Sequence, residues 1–266
     1  MGPLFTSIFG MGSPVIAQVP QGLLAIHGVY AFGARFTRLA ELLPEVTVVA
    51  PDLRGFGRSP KRGPYNIDQH VRDLGPLLRR MSPRTVVLGH SYGGLLAWEL
   101  ARANHDQLSG LVLVDPAIAL DKDHAHREQL AAKQPQRWPD ASTAMAALMA
   151  GRQAEAQWSV ALDVSLGLAR DESGWLRPVW APEAVHAVWD QVAHRLQPSP
   201  WRGPTLLIEA GRENGRFVSP WLVKNMREQL GDRLEHVVVD SPHTIPADAP
   251  EDLARHVAAF LDTLQR

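Results

Sequence analysis

Residues 89 to 94 read Gly89-His90-Ser91-Tyr92-Gly93-Gly94. A serine flanked at two residues on either side by glycine is the G-x-S-x-G pattern of a nucleophile elbow. The glycines allow a backbone turn that a side chain would block. Such a turn holds the serine hydroxyl at the end of a strand, over the positive end of the following helix. A serine hydroxyl attacks a carbonyl only when a base takes its proton, and the resulting oxyanion needs donors already in place. The chemistry implied is acyl transfer through a covalent acyl-serine, with Ser91 as nucleophile.

That chemistry requires a strand before Ser91 and a helix after it. Thr85-Val86-Val87-Leu88 is a short apolar run, and Leu95-Leu96-Ala97-Trp98-Glu99-Leu100 has helical character. Similar pairs recur along the chain. Strands are expected over Gly22–Ile26, Val46–Ala50, Leu111–Val114, Thr205–Glu209 and His236–Val239. Helices are expected over Ala34–Leu43, Asn66–Met81 (despite Gly75 and Pro76), Leu95–Ala103, Pro220–Leu230 and Pro250–Leu264. Between Ile118 and about Pro200 the pattern is helical, with no convincing strand. Six tryptophans fall in or just past that stretch: Trp138, Trp158, Trp175, Trp180, Trp189 and Trp201. Strands alternating with helices imply a mostly parallel sheet covered on both faces, with ligands beyond the carboxyl ends of its strands. The motif-rich corners all lie at those ends.

The 266 residues are 45% hydrophobic and 21% charged, with a net charge of −1, which gives no reason to expect nucleic acid or an anionic membrane as partner. There is no cysteine, which excludes disulfides, thiolate metal sites and a cysteine nucleophile. Met1–Pro20 carries no Lys or Arg and is broken by glycine and proline, which argues against a signal peptide. No apolar stretch reaches the length of a membrane span. The match of Met1–Thr6 to a myristoylation pattern is read as accidental. The expectation is a cytoplasmic protein acting on a small molecule; a homo-oligomer is compatible with the sequence.

Taken together, His27-Gly28, Asp52-Leu53-Arg54-Gly55-Phe56-Gly57-Arg58-Ser59, Gly89–Gly94 and Asp240-Ser241-Pro242-His243-Thr244-Ile245-Pro246 make the chain resemble an α/β-hydrolase along nearly its whole length. The resemblance is to the esterase and haloperoxidase-like group with a helical cap. It implies the α/β-hydrolase fold, a mostly parallel central sheet flanked by helices. Residues 1–117 and 201–266 would form the core, and residues 118–200 an inserted helical cap or lid.

The family order Ser, acid, His places the base after the last strand, where His243 stands. The resemblance supplies two oxyanion donors, the backbone N–H groups of Val29 and Tyr92. His27 and His90 are read as hydrogen-bonded histidines beside the site. The acid is open. Where the family has Gly-x-x-Asp, this chain has Gly211-Arg212-Glu213-Asn214, and an Asn cannot neutralise an imidazolium. Glu213 from a shifted loop, or an acid after Leu111–Val114 (Asp115, Asp121 or Asp123), is the replacement considered, beside a triad with no acid. Asp115-Pro116 also fits a structural corner.

Asp121-Lys122-Asp123-His124-Ala125-His126 is read as the polar start of a lid helix, so no metal is expected, and no cofactor. Most of the cap tryptophans are expected in its core, with one or two facing a hydrophobic pocket. The implied function is a serine esterase for a small or medium apolar ester, lactone or thioester. The alternatives are an acyltransferase or C–C hydrolase on the same scaffold, and a binding protein that has lost the chemistry.

Overall fold

The structure, a computed structural model, describes residues 4–9, 22–131, 136–150, 152, 156–193, 199–212 and 217–265. In chain order the elements are β1 (Thr6–Phe9), β2 (Gly22–Ile26), α1 (Thr37–Leu42), β3 (Thr47–Pro51), α2 (Ile67–Leu78), β4 (Val86–His90), α3 (Tyr92–Ala103) and β5 (Gly110–Val114). There follow α4 (Lys122–Ala131), α5 (Ala141–Met149), α6 (Gln157–Leu166), β6 (Leu168–Arg170), β7 (Leu176–Pro178) and α7 (Pro182–Gln191). The chain closes with β8 (Thr205–Ala210), α8 (Pro220–Leu230), β9 (Leu234–Val239), α9 (Ile245–Asp248) and α10 (Pro250–Thr263).

Among the described residues seven strands form one sheet, in the order β1-β3-β2-β4-β5-β8-β9. All neighbours are parallel except β1, which runs antiparallel to β3. The central strands are apolar on both faces because both are covered. In β2, Leu24 and Ile26 join one core cluster while Leu23 and Ala25 join the other. The same two-residue alternation splits Leu111 and Leu113 of β5 from Val112 and Val114. Helices α2, α3 and α8 pack on the first face; α1, α9 and α10 pack on the second. Caps fix the helix starts where the sequence offers them: Ser219 Oγ accepts from Leu222 N–H at 3.2 Å, with Pro220 in the first turn.

From β2 the chain moves outward to β3 and then crosses back to β4. The strand order reverses between β2 and β4, and a crevice opens there at their carboxyl ends. Ser91 stands at that point.

Two strand assignments differ from the sequence reading. Thr6–Phe9 adds an edge strand beside β3. The described residues between β5 and β8 lie outside the sheet and are mainly helical, but they also contain the antiparallel hairpin β6–β7, which Trp138 extends by pairing with Leu176. Its strands are three residues long, too short for an alternating pattern to register. Asp171 shapes the turn by accepting from the Ser173 and Trp175 N–H groups at 2.9 and 3.1 Å.

Candidate active site

The elbow is built by close approach. A Cβ on Gly89 would run into the Gly93 carbonyl, and one on Gly93 would run into the Ile26 carbonyl at the end of β2. Ser91 itself has φ 55° and ψ −122°, a backbone conformation costly for any residue with a side chain. Its N–H donates to Val114 O at 3.0 Å and its carbonyl accepts from Ala117 N–H at 2.9 Å, so β5 and its exit loop hold the turn. Among the described residues the Ser91 hydroxyl makes no hydrogen bond. Gly28 lies against it: a Cβ there would sit 2.9 Å from the Ser91 Cβ.

His243 lines the same cavity as Ser91. Its Nδ1 donates to Asp115 Oδ2 at 2.6 Å, which leaves the Nε2 lone pair free to accept a proton. Asp115 leaves β5 with φ 40°, and its side chain is fully buried. The other carboxylate oxygen accepts from Ala210 N–H at 3.1 Å. Burial raises the Asp115 carboxyl above the usual range, against the pull of that N–H. Burial also pushes His243 below the ordinary histidine value, reinforced by His124 nearby. The ring of His243 is stacked on Phe217, with centroids 3.5 Å apart and planes 9° from parallel. His124 meets the Phe217 ring edge to face.

The two other histidines are hydrogen-bonded. His27 Nε2 accepts from Leu53 N–H at 2.9 Å, so Nδ1 carries the proton and donates to Gly28 O at 2.7 Å. In a planar trans peptide the Gly28 carbonyl and the Val29 N–H point in opposite directions. Anchoring the carbonyl therefore fixes the aim of the N–H. Burial lowers His27 to about 4, which keeps this neutral tautomer in place. His90 Nε2 donates to His243 O at 2.9 Å and ties the elbow to the loop after β9.

Asp52–Ser59 does not reach the hydroxyl; it builds the adjoining loop. Asp52 accepts from Gly33 N–H and Arg58 N–H, both at 2.7 Å, and Arg54 grips Asp73 with two bonds of 2.6 and 2.7 Å.

Of the acids considered from sequence that lie among the described residues, Asp115 is the one bonded to His243. Asp121 and Asp123 are exposed at the start of α4, where Asp121 Oδ1 accepts from His124 N–H at 3.0 Å as a cap. Glu213 and Asn214 lie outside the described residues. Phe217 and His124 were not singled out from sequence as groups flanking His243; an aromatic in a loop leaves no periodic signal. The cavity occupies about 450 Å³. Trp138, Trp180 and Trp189 line it, more tryptophans than the sequence reading placed there. Of the six, Trp189 and Trp201 are buried, Trp175 is exposed, and the others are half-buried, so most do not form a core.

A model of the alpha/beta hydrolase family matches residues 23–256. Lipase LipV of Mycobacterium tuberculosis is 34% identical over 248 residues, spanning 91% of this chain and 94% of that protein. Esterase Rv0045c of the same organism is 27% identical over 242 residues, 81% of this chain and 74% of that one. Among solved structures, E-2-(acetamidomethylene)succinate hydrolase superposes with a TM-score of 0.83 over 97% of this chain and 95% of its own, at 22% identity, a likeness of fold.

Proposed function

The chain belongs to the alpha/beta hydrolase family and is a hydrolase, and from that premise we propose a serine hydrolase of carboxylesterase type, acting on a small or medium apolar ester, lactone or thioester. Ser91 Oγ bonds to the acyl carbon while His243 Nε2 takes its proton and returns it to the leaving oxygen or sulfur. Water then attacks the acyl-serine, giving up its proton to His243, and releases the acid and free Ser91. Asp115 orients the imidazole and balances its charge when protonated. The Val29 and Tyr92 N–H groups receive the oxyanion. Residues 118–200 act as a cap whose tryptophans make the cavity apolar. No step calls for a cofactor or metal.

The observation that carries this reading is the 2.6 Å bond between His243 Nδ1 and Asp115 Oδ2 beside a serine at a strained strand-to-helix turn. The reading of a fold without chemistry drew on Asn214, and a carboxylate reaching His243 from another strand removes that support. Hydrolysis of p-nitrophenyl esters, with Ser91→Ala as control, tests the proposal. Turnover lost in that variant is expected; turnover that persists in it, or no turnover and no labelling of Ser91 by a fluorophosphonate, rejects it.

A further inference from the structure

Inside the cavity that holds Ser91 and His243 lies a charge arrangement that ester hydrolysis does not use. Arg35 follows the loop carrying Val29 and is buried, with its guanidinium over the Phe32 ring at 5.9 Å from the centroid. It donates to Asp163 of α6, forming an ion pair, and to Ser159 O at 3.3 Å. Arg152, just past α5, is half-buried in the same cavity wall, and its charge acts on both Arg35 and Asp163. Among the described residues no carboxylate lies within ion-pair distance of Arg152.

One carboxylate is therefore bonded to Arg35 alone, while the second guanidinium, that of Arg152, stands near enough to act on it without an ion pair of its own among the described residues. Two other acids lie nearby, and neither forms an ion pair with Arg152. Asp248 acts on Arg35 but accepts from the Thr244 hydroxyl, and Glu128 lies near Tyr30. A desolvated cation is costly until an anion meets it, and a guanidinium fork matches a carboxylate with two parallel bonds. A carboxylate on a molecule whose carbonyl also reaches Ser91 would complete this set, because both places line one cavity. At about 450 Å³ the cavity is at the small end for ligand sites, so few bonds separate the two groups.

We propose that Arg152, together with Arg35 and Asp163, binds a carboxylate on the substrate. This rests on the hydrolase reading above and narrows its apolar ester to a short acyl ester carrying a free carboxylate at its far end, such as a half-ester of a dicarboxylic acid.

The test compares p-nitrophenyl hemiglutarate with p-nitrophenyl 5-methylhexanoate, in which an isopropyl group replaces the carboxylate, after subtraction of uncatalysed hydrolysis. The expected kcat/KM ratio favours the hemiglutarate by about 10- to 100-fold, the range of a charge-assisted bond. Arg152→Gln should bring that ratio towards one, mainly through KM. Equal efficiency on the two esters in the unsubstituted protein, or a preference that survives Arg152→Gln, overturns the proposal. Binding provides an arm independent of turnover: glutarate is titrated into Ser91→Ala, read by the tryptophan fluorescence of the cavity. Saturable binding that weakens about tenfold or more when Arg152→Gln is added supports the subsite, even if neither ester is hydrolysed and the hydrolase reading fails. Absence of saturable binding overturns it.

Discussion

Asp115 Oδ2 stands 2.6 Å from His243 Nδ1 although the two residues are 128 positions apart and leave the sheet from β5 and β9, which do not touch. Between them runs β8, whose final N–H, that of Ala210, donates to the other Asp115 oxygen. The carboxylate thus bridges two strand ends, and one oxygen is committed to backbone while the second orients the imidazole. A rigid, buried carboxylate of this kind holds a histidine in one tautomer, with Nε2 unprotonated.

Asp115→Asn should lower kcat by about 10⁴-fold, the scale found when a triad aspartate becomes an amide and the imidazole takes the wrong tautomer. Glu213→Gln should stay within about tenfold of the unsubstituted protein, since a group outside the triad supplies at most a fraction of that effect. Steady-state turnover of a p-nitrophenyl ester, with circular dichroism to confirm folding, separates the two. A larger loss in Glu213→Gln would move the acid to the loop after β8.

The dependence of kcat/KM on pH should show an acid limb belonging to His243. Activity needs the neutral ring, so it falls as pH falls through the His243 value and the proton blocks Nε2. Burial and His124 push that value below 6.5, hence the limb should lie on the acid side of 6.5. A limb at or above 6.5 would show that Asp115 stabilises the imidazolium more than burial opposes it.

Ser91 is legible in the sequence because it follows β4, a buried parallel strand whose apolar run is continuous, and His243 because it follows the short valine run that ends β9. The core strands of the sheet are visible for the same reason. At the sheet edge the signal weakens: β9 starts at Leu234, but Glu235 breaks the apolar run, so only His236–Val239 reads as strand. Asp115 is one of several candidates in the sequence, because a strand-end Asp-Pro serves a structural corner equally well; in the structure it turns that corner and also bonds His243. What the sequence does not reveal is lateral placement. Phe217 stacks on His243, Arg35 meets Asp163, and Arg152 shares their cavity wall, through packing between loops and inserted helices with no fixed spacing.

His27→Ala should reduce kcat more than it raises KM. The ring fixes the Gly28 carbonyl and with it the direction of the Val29 N–H, so its loss leaves that donor free to swing. The ceiling is the loss of one oxyanion donor, about 10²- to 10³-fold in kcat. A role in folding alone would lower Tm without touching kcat of the folded fraction. Measuring both on the same preparation distinguishes the two.

Stability should fall as pH drops from 7 towards 4. His27 and His70 are buried and each held at about 4, well below the 6.5 of an unfolded chain. Between those values the unfolded chain binds more protons than the folded one, so acid favours unfolding. Asp115, raised by burial, works in the opposite direction, because the folded state holds its proton more tightly. His90 and His243 are lowered by burial as well, and Asp163 is raised like Asp115, so four histidines stand against two carboxyls and the net slope of unfolding free energy with pH should be positive in this window. Urea titrations at pH 7, 6 and 5 measure it, and a flat or inverted dependence would contradict the histidine assignment.

Ser91→Gly should be more stable than Ser91→Ala, although both lack the nucleophile and both should be inactive. At φ 55° and ψ −122° a Cβ is strained, and the elbow persists because Gly89, Gly93 and the β2 carbonyls leave the chain no other path. Glycine removes that strain, of order 1–3 kcal/mol, and gives back part of it through greater freedom in the unfolded chain, up to about 1 kcal/mol. The difference in unfolding free energy between the two variants isolates the backbone term from the lost hydroxyl. Equal stability, or an advantage for Ser91→Ala, would mean that the turn at Ser91 carries no stored strain.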